Sequence, residues 1–383
     1  MKRSVIEKIK KATLCVAAGL ALTALPSCNV HEWPEDSGER YPFTLYMDFD
    51  ADLPLYKEVY YTRAGEENSR SDEENYDIRY IVNVYNVADE NDNNRDVVET
   101  YTFTRNYADN HDYKVTLNLP EGKYKFRVWS DHIARNSNRD LFYNTTQYND
   151  IFIDESGEHP GSNEFRDAFR GTAYGEVYDT ELYQQRYGTV PSNSAHADMQ
   201  RPMGRYEFVS TDMDEFLDKV IENVDAETIN AILSKSGESD PETKGEILSR
   251  GMTRTEIAEA IGLDKYKVVF YYNAFMPSSY NFYTDQPSDS STGISYESKM
   301  NIGDEGMQMG FDYILVDQQT TMNLNLGVYD PDGNLIASTS GVEVPVVRSK
   351  NTVVKGLFLT VTSGGGVAIN PDFEGDDFNI EIK

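Results

Sequence analysis

Hydrophobic and polar residues alternate along many short stretches of this chain, beginning with residues 43–49. There, Phe43, Leu45, Met47 and Phe49 fall on one side of an extended backbone. A two-residue period of this kind predicts a strand with one buried face. The same reasoning predicts further strands at residues 78–84, 97–104, 113–119, 124–128, 141–153, 206–209, 266–276, 311–317, 322–328, 342–347, 353–362, 367–369 and 378–382. Many short strands divided by turns favour a mainly β chain that folds as a β-sandwich.

Two turns between these strands have a defined composition. Pro120-Glu121-Gly122 separates two clean alternations, and because proline and glycine suit a tight turn, we expect a β-hairpin there. Asp330-Pro331-Asp332-Gly333 has the composition of a type I turn between two strands. Its aspartates also suggest a calcium loop, but the further ligands of an EF-hand are missing, so the turn is the better interpretation.

Helical periodicity is concentrated near residues 212–262. Residues 212–224 place five apolar side chains on one helical face, with Thr211 or Asp212 as the N-cap. Residues 226–234 predict a second helix that continues from the first. We interpret these helices as an insertion on the sandwich, because strands resume after them.

Another helix in the same insertion has both of its ends marked in the sequence. Thr253 and Glu256 fit a capping box at its start, and Gly262 fits its end. Earlier in the chain, residues 131–205 are rich in Asn, Asp, Arg and Tyr, and we interpret most of them as long loop excursions. Within that stretch, residues 164–171 predict a short amphipathic helix.

The N-terminal segment indicates export. A basic head precedes an apolar run at residues 12–25, which is short for a bilayer span and has the length of a signal-peptide core. Leu25-Pro26-Ser27-Cys28 then resembles a bacterial lipobox, which implies removal of residues 1–27 and acylation of Cys28. A plain secretory signal in which the cysteine is incidental is the alternative. The polar residues 28–40 predict a tether.

The charge balance limits the partners of the mature chain. The sequence holds 35 basic and 65 acidic residues, a formal charge of −30. Residues 1–27 carry five basic residues and one acidic residue, so their removal leaves a charge near −34. Such a charge repels nucleic acid and anionic headgroups, so we expect membrane attachment only through the lipid on Cys28. Because Cys15 lies in the removed segment, no disulfide and no cysteine metal site is expected.

No pattern along the chain predicts catalysis, a cofactor or a metal site. The histidines lie in polar contexts without the spacing of a helical zinc site, so we interpret them as solvated loop residues: His31, His111, His132, His159 and His196. The acidic loops at residues 66–74 and 89–96 could hold calcium weakly, although solvated loops are the simpler interpretation.

Aromatic residues are the remaining candidates for a binding function. The sequence contains 27 Tyr, and exposed aromatic faces can bind sugars, with Trp129 beside a predicted turn as one candidate. Tyr80, Tyr113 and Tyr124, in contrast, alternate with polar residues as members of a sandwich core do.

Six stretches of the mature chain stand out together with the lipobox. They are VHEWPE (30–35), LPEGKYKFRVW (119–129), DAF (167–169), QRPMGRYEFVSTD (200–212), YNAFMPSSYNFYTDQPSDSSTGISYES (272–298) and KGLFLTVTSGGGVAINPDFEGDDFNIEI (355–382). Together they resemble the fimbrillin-like lipoproteins of Bacteroides-type bacteria. The resemblance implies two tandem transthyretin-like β-sandwich domains, at residues 41–196 and 197–383, the second with the helical insertion.

The resemblance also implies a function, namely that subunits join by β-strand addition. In stalk subunits of the family a protease cuts after an arginine and removes the first strand, and Arg63 is the matching candidate here. Anchor-type members keep that strand, and Arg63 is then an ordinary loop residue. We therefore expect a non-enzymatic, lipid-anchored surface fimbrial subunit, an anchor or minor assembly protein, whose partners are other fimbrial subunits. The alternative is a surface lipoprotein that binds glycans through exposed aromatic residues.

Overall fold

Strands dominate the computed structural model of this chain, which describes residues 38–49, 75–106, 114–147, 149–154, 158–225, 227–228, 252–363 and 377–381. In chain order the described strands are β1 (Arg40–Phe49), β2 (Tyr76–Asn86), β3 (Val97–Asn106), β4 (Lys114–Pro120), β5 (Gly122–Ala134), β6 (Tyr143–Asn144), β7 (Asp150–Ile153), β8 (Phe169–Val177), β9 (Ser194–Met199), β10 (Met203–Ser210), β11 (Lys267–Tyr272), β12 (Met276–Asn281), β13 (Gln286–Ser291), β14 (Ser295–Ser298), β15 (Asn301–Ile302), β16 (Met307–Leu315), β17 (Gln319–Tyr329), β18 (Leu335–Val347), β19 (Asn351–Gly356), β20 (Thr362–Ser363) and β21 (Asp377–Glu381). The described helices are α1 (Thr180–Tyr187), α2 (Met213–Ile221) and α3 (Arg254–Ile261). None of these helices is long and apolar enough to cross a membrane. The mainly β fold is confirmed, and α2 and α3 confirm the helical insertion.

The first part of the chain forms a sandwich of two sheets. Sheet A has the order β4-β1-β9, and sheet B has the order β3-β2-β5-β8. The core between them is built from alternate side chains of these strands: Phe43, Leu45, Met47, Tyr80, Val82, Val84, Val115, Leu117, Leu119, Tyr124, Phe126, Val128, Ala173, Val177, Ala195, Ala197 and Met199. The alternation seen in the sequence thus identifies the buried faces correctly.

The hairpin predicted at Pro120-Glu121-Gly122 is wrong, although both of its strands are confirmed. β4 lies beside β1 in sheet A, whereas β5 lies between β2 and β8 in sheet B. The turn therefore carries the chain from one sheet to the other. Alternation reports which face of a strand is buried, and two strands that face each other across a core alternate as paired strands do.

The second part of the chain forms another pair of sheets. Sheet D has the order β15-β16-β10-β19-β21, and sheet E has the order β14-β11-β17-β18-β20. β10 is buried along its whole length, and it pairs with β16 on one side and with β19 on the other. The large core here includes Phe208, Phe270, Leu324, Val344 and Val354.

Sheet C, with the order β13-β12-β7-β6, covers the outer face of sheet B. Trp129 on β5 packs against Phe282 at 5.6 Å and against Tyr143 at 5.3 Å between ring centroids. Sheet B is therefore covered on both faces, which explains why β5 is buried almost continuously. The described residues from Tyr41 onwards form one compact unit. The predicted boundary between residues 196 and 197 falls within β9, and the division into two domains stays a prediction.

The polar stretch at residues 131–205 is more regular than the loop excursions predicted for it. It contains β8, α1 and β9, and the helix predicted at residues 164–171 is limited to a 3-10 turn at Glu164–Arg166. The sequence gives no helical periodicity for α1 because none of its residues is buried. Its ends are nevertheless marked, since Asp179 accepts a hydrogen bond from the amide of Leu182 and Gly188 adopts a left-handed φ of 76°.

The predicted helix ends in the insertion have different outcomes. The capping box of Thr253 and Glu256 and the stop at Gly262, where φ is 64°, are confirmed. Asp212 stands at the N-cap position of α2, but its side chain makes no capping bond. It accepts hydrogen bonds instead from the amides of Leu359 and Thr360, at 3.2 and 2.8 Å. Of the second helix predicted at residues 226–234, only residues 227–228 are described.

Candidate functional site

The first described strand, β1, is inserted between two strands that are distant in sequence. β1 lies in the middle of sheet A, with β4 on one side and β9 on the other. Its pairing with β9 is parallel and runs from Thr44 opposite Ser194 to Phe49 opposite Met199. A strand in this position supplies backbone hydrogen bonds to both neighbours, so its removal would open a groove between β4 and β9.

The side chains of β1 fill that groove. Phe43 stacks on Phe126 with ring centroids 4.9 Å apart. Gly175 on β8 gives the Phe43 ring its room, because a Cβ at that position would lie 2.6 Å from the Cζ atom of Phe43. Leu45 and Met47 follow as fully buried residues. Burial of each such side chain contributes about 1.5–3 kcal/mol, so β1 is a substantial part of this core.

Polar contacts fix both ends of β1. At its start the hydroxyl of Tyr41 donates to Asp179 at 2.9 Å, which joins the strand to the N-terminus of α1. Near its end, the ring of His196 stacks on Tyr46 at 4.7 Å, and its Nδ1 lies 2.8 Å from a carboxylate oxygen of Asp48. These contacts complement the register that the apolar residues set.

The edge strand β4 of sheet A and the edge strand β21 of sheet D differ in how they are covered. Two side chains of β3 donate hydrogen bonds to backbone carbonyl groups of β4. Tyr101 donates to the Asn118 carbonyl, and Arg105 donates to the Lys114 carbonyl, both at 2.8 Å. β21 ends sheet D and pairs in parallel with β19. Within the described residues β21 has a strand neighbour on one side, so it forms an edge of sheet D there.

An aromatic surface lies on α1. The rings of Tyr178 and Tyr183 are 5.0 Å apart, and those of Tyr183 and Tyr187 are 4.6 Å apart. Tyr187 is 59% exposed, Leu182 and Val190 are 60% and 64% exposed, and Tyr178 and Tyr183 are half-buried. We call Tyr178, Leu182, Tyr183, Tyr187 and Val190 the α1 surface. A cluster of exposed apolar and aromatic residues of this kind marks an interaction surface more often than isolated exposed residues do.

The predicted lipid and processing sites lie outside the described residues. This holds for Cys28 and Arg63, and also for His31, His111 and Tyr113. Tyr80 and Tyr124 are core residues, as the alternation predicts. Trp129 is fully buried, so its proposed role as an exposed sugar platform is wrong. In the parts of the chain that the structure describes, no group of three or more His, Cys, Asp or Glu residues could hold a metal ion.

Two of the predicted solvated histidines are packed side chains instead. The Nε2 atom of His159 lies 2.6 Å from a carboxylate oxygen of Asp312, and 4% of the His159 side chain is exposed. His132 lies on β5, half-buried against Phe165. His196 is exposed as predicted, but it lies on β9 rather than in a loop.

The buried ion pair around Asp312 is the main site that the sequence interpretation missed. Arg166 and His159 both contact this carboxylate, and Tyr272 donates to it at 2.5 Å. Tyr206 continues the network with its hydroxyl 2.8 Å from that of Tyr272. The available sequence signal was a charged residue inside the apolar strand β16, since a buried carboxylate requires a partner.

The electrostatics of this network follow from its burial. Burial raises the pKa of Asp312, but the positive charges of Arg166 and His159 outweigh it and lower the pKa to about 2. Burial raises the pKa values of Tyr206 and Tyr272 well above their ordinary value. The network contains no activated nucleophile, and it joins the 3-10 turn at Glu164–Arg166 to strands β10, β11 and β16.

The predicted turn at Asp330 is confirmed. The amide of Gly333 donates to the Asp330 carbonyl at 3.0 Å, and Gly333 has a φ of 83°. The Asp330 carboxylate accepts hydrogen bonds from the amides of Asp332 and Asn334, so its oxygens bond to backbone groups of the turn. The side chain of Asn334 also donates to it, and these bonds lower the pKa of Asp330.

The acidic loop at residues 89–96 is organised in a similar way. Asp92 accepts hydrogen bonds from the amides of Ala88 and Asn94, at 2.8 and 3.0 Å. These bonds lower the pKa of Asp92. The loop at residues 66–74 lies outside the described residues.

Comparison with known sequences gives a family without an assigned role. The sequence model described as Family of unknown function (DUF6562) matches residues 42–383. No curated protein matches the chain.

Several solved structures are similar to this chain at low sequence identity. The fimbrial anchor protein Mfa2 from Porphyromonas gingivalis is 11% identical, with 78% of this chain and 82% of that chain covered and a TM-score of 0.34. A candidate cell adhesion protein from Bacteroides eggerthii is 9% identical, with 90% and 98% covered and a TM-score of 0.38. Candidate polysaccharide-binding proteins from Bacteroides thetaiotaomicron are 10% identical, with 78% and 80% covered and a TM-score of 0.37. Fimbrial and adhesion proteins are thus among the similar structures, as the sequence resemblance predicts, but at these TM-scores no partner or ligand is transferred.

Proposed function

We propose that this chain, which belongs to the Family of unknown function (DUF6562), is a fimbrial subunit held at the cell surface by a lipid on Cys28. In this proposal it is an anchor or minor assembly protein without enzymatic activity. It supports cell adhesion through the fimbria that it carries, and its partners are neighbouring fimbrial subunits and the outer membrane.

The position of β1 is the observation that carries the proposal. A strand held between β4 and β9, with Phe43, Leu45 and Met47 buried beneath it, has the form of a replaceable insert in a sandwich. The same backbone groups that pair with β1 can pair with a strand from another subunit. An anchor keeps its own β1 in place, whereas a stalk subunit loses it through cleavage after Arg63.

A disulfide that locks β1 tests this part of the proposal. Thr44 and Ser194 are register partners on β1 and β9, and the chain has no cysteine after Cys28. The variant Thr44→Cys/Ser194→Cys should therefore form one bond between neighbouring strands. If the protein is an anchor that keeps its first strand, the locked variant assembles fimbriae like the single variant Thr44→Cys. Assembly that fails in the locked variant and returns with reductant would show that β1 must leave.

Processing and lipidation need separate measurements. Metabolic palmitate labelling should label the wild type and leave Cys28→Ala unlabelled, and equal labelling of both would contradict the lipid site. Mass spectrometry of the surface form should find an acylated Cys28 on an intact chain. A mature N-terminus at Ala64 would instead indicate cleavage after Arg63, and it should disappear in Arg63→Ala but persist in the control Arg70→Ala.

Deletion of the gene tests the assembly role itself. Electron microscopy should show fimbriae that are longer, shorter or detached from the cells, and complementation should restore them. Filaments unchanged in number, length and attachment would contradict the proposal.

Glycan binding remains the second candidate because of the α1 surface. Exposed tyrosine rings can bind sugar rings, and Tyr187, whose ring centroid lies 4.6 Å from that of Tyr183, is 59% exposed. If this function holds, Tyr187→Ala abolishes binding on a glycan array, whereas the control Gln185→Ala on the same helix does not. Binding that survives Tyr187→Ala would remove this candidate.

A further inference from the structure

A group of arginines lies where sheet B meets the turn after β12. Arg127 is on β5, two residues before Trp129. Arg170 is on β8, where it is the register partner of Trp129. The two arginines are therefore diagonal neighbours on one face of the sheet, within reach of each other's long side chains. Arg348, which follows β18, and Arg95, which precedes β3, complete what we call the arginine cluster.

The arginine cluster carries more positive charge than its partners neutralise. Asp285 pairs with Arg170 and, at 3.2 Å, with Arg348. Neither Arg95 nor Arg127 forms an ion pair in the parts of the chain that the structure describes. An excess of cations at one place is unexpected in a chain with a net charge of −30, where carboxylates are plentiful.

Arg127 is the least compensated member. It is 8% exposed, and its guanidinium lies over the ring of Tyr283 at 4.3 Å and over that of Tyr85 at 5.9 Å. Arg95 lies over the same Tyr283 ring at 4.2 Å. The Nε atom of Arg127 is buried and has no hydrogen-bond partner among the described residues.

The physical chemistry of such a group points to a missing counter-ion. Aromatic rings attract a cation, but they do not satisfy the hydrogen-bond donors of a guanidinium. A buried charge without a partner is costly, and burial accordingly lowers the pKa of Arg127. The cluster reaches solvent through Arg95, which is exposed, and through the side chains of Asp285 and Arg170, which are 40% and 17% exposed.

We propose that the arginine cluster binds an oxyanion, a sulfate, phosphate or carboxylate group, with Arg127 and Arg170 as its main ligands. The planar fork of arginine matches the geometry of such groups. The anion is either a free ion or the acidic group of a sugar such as a uronic acid. This inference does not depend on strand addition or on the lipid, so the outcome of the fimbrial experiments does not affect it.

Thermal unfolding of the mature chain tests the site. Sodium sulfate, sodium phosphate and sodium glucuronate are each compared with sodium chloride at equal ionic strength. Sulfate and phosphate stabilise most proteins through exclusion from their surface, so the informative quantity is the difference between the wild type and Arg127→Met. We expect the anions to raise the wild-type melting temperature by about 2 °C more than that of the variant. The exposed control Arg139→Met should behave like the wild type.

A structural role of Arg127 gives the opposite pattern. If Arg127 only braces the fold, Arg127→Met lowers the melting temperature in chloride and leaves the anion-dependent rise unchanged, which would overturn the proposal. If Arg127→Met does not fold, Arg127→Lys provides the comparison, because it keeps the charge but loses the fork, and its anion-dependent rise should be smaller.

Calorimetric titration identifies the source of the anion. One site per chain that prefers glucuronate to sulfate, with glucose as the neutral control, indicates an acidic sugar. Equal or better binding of sulfate or phosphate indicates a free oxyanion. Absence of one-site binding for all three anions would overturn the proposal.

Discussion

Replacement of Asp312 by asparagine should destabilise this protein through Arg166. The side chain of Arg166 is 1% exposed, and within the described chain Asp312 is the carboxylate that pairs with it. The Nε and Nη2 atoms of Arg166 already lack hydrogen-bond partners among the described residues. Asp312→Asn therefore leaves a buried guanidinium without a counter-ion, and loss of one partner of a buried pair costs about 3–5 kcal/mol. We expect the free energy of unfolding to fall by about that amount at pH 7.

The same carboxylate predicts a pH dependence whose sign is fixed by its pKa. Folding lowers the pKa of Asp312 from the ordinary 3.8 to about 2, so the folded state holds its proton less tightly than the unfolded state. The resulting stabilisation is complete above the unfolded pKa and is lost as the pH falls from about 4 through 2. The difference between the unfolded and folded pKa values corresponds to about 2 kcal/mol of stability. The gap between wild type and Asp312→Asn should therefore narrow by about that amount between pH 6 and pH 2.

Urea unfolding followed by tryptophan fluorescence can measure both effects. Trp129 packs against Tyr143, whose hydroxyl donates to the carbonyl of Arg166, so it reports on this part of the core. A Trp33→Phe background removes the other tryptophan of the chain. The exposed residue Asp304, at the turn before β16, provides the control Asp304→Asn.

Two results would refute the reasoning on Asp312. One is a loss below about 0.5 kcal/mol in Asp312→Asn at constant m-value, which is the size expected for a surface substitution. The other is a gap between the two proteins that widens as the pH falls. The double variant Asp312→Asn/Arg166→Met should recover part of the loss, because it removes the unpaired cation as well.

Three further substitutions test the packing of the fold. Phe43→Ala should lower the free energy of unfolding in urea by about 3–5 kcal/mol, because it leaves a cavity in the core beneath β1. Thr44→Ala on the same strand should lower it far less. Equal losses in the two variants would contradict the contribution of β1 to this core. Gly204→Ala should cost about 1–3 kcal/mol, since its Cβ would lie 2.3 Å from the carbonyl oxygen of Val347, and an unchanged urea midpoint would show that the strands can separate there. Thr253→Ala should cost about 1 kcal/mol and speed amide exchange in α3, and unchanged exchange would argue against the capping box.

The binding surfaces show how far sequence patterns reach. The buried faces of β1, β4 and β5 were predictable because each strand alternates with a period of two. The exposed aromatic cluster on α1 was not, because a helix without buried residues has no amphipathic period. Composition placed Tyr and Trp together as candidate sugar-binding residues, but only packing separates the exposed Tyr187 from the buried Trp129.

Turns and helix ends of this chain were predictable from the sequence, whereas contacts between residues distant in sequence were not. The capping box at Thr253, the stop at Gly262 and the turn at Asp330 depend on residues a few positions apart, so their composition is sufficient to predict them. Whether β4 pairs with β5 or faces it across a core depends on strands distant in sequence, since β4 pairs with β1 and β1 pairs with β9. Asp312 meets His159 and Arg166 for the same reason: the contact forms only when β16 packs beside the turn at Glu164–Arg166. Alternation predicts that a side chain is buried. The hydrophobic effect is non-directional, so the pattern does not say which residues the side chain packs against, and only the tertiary structure decides that.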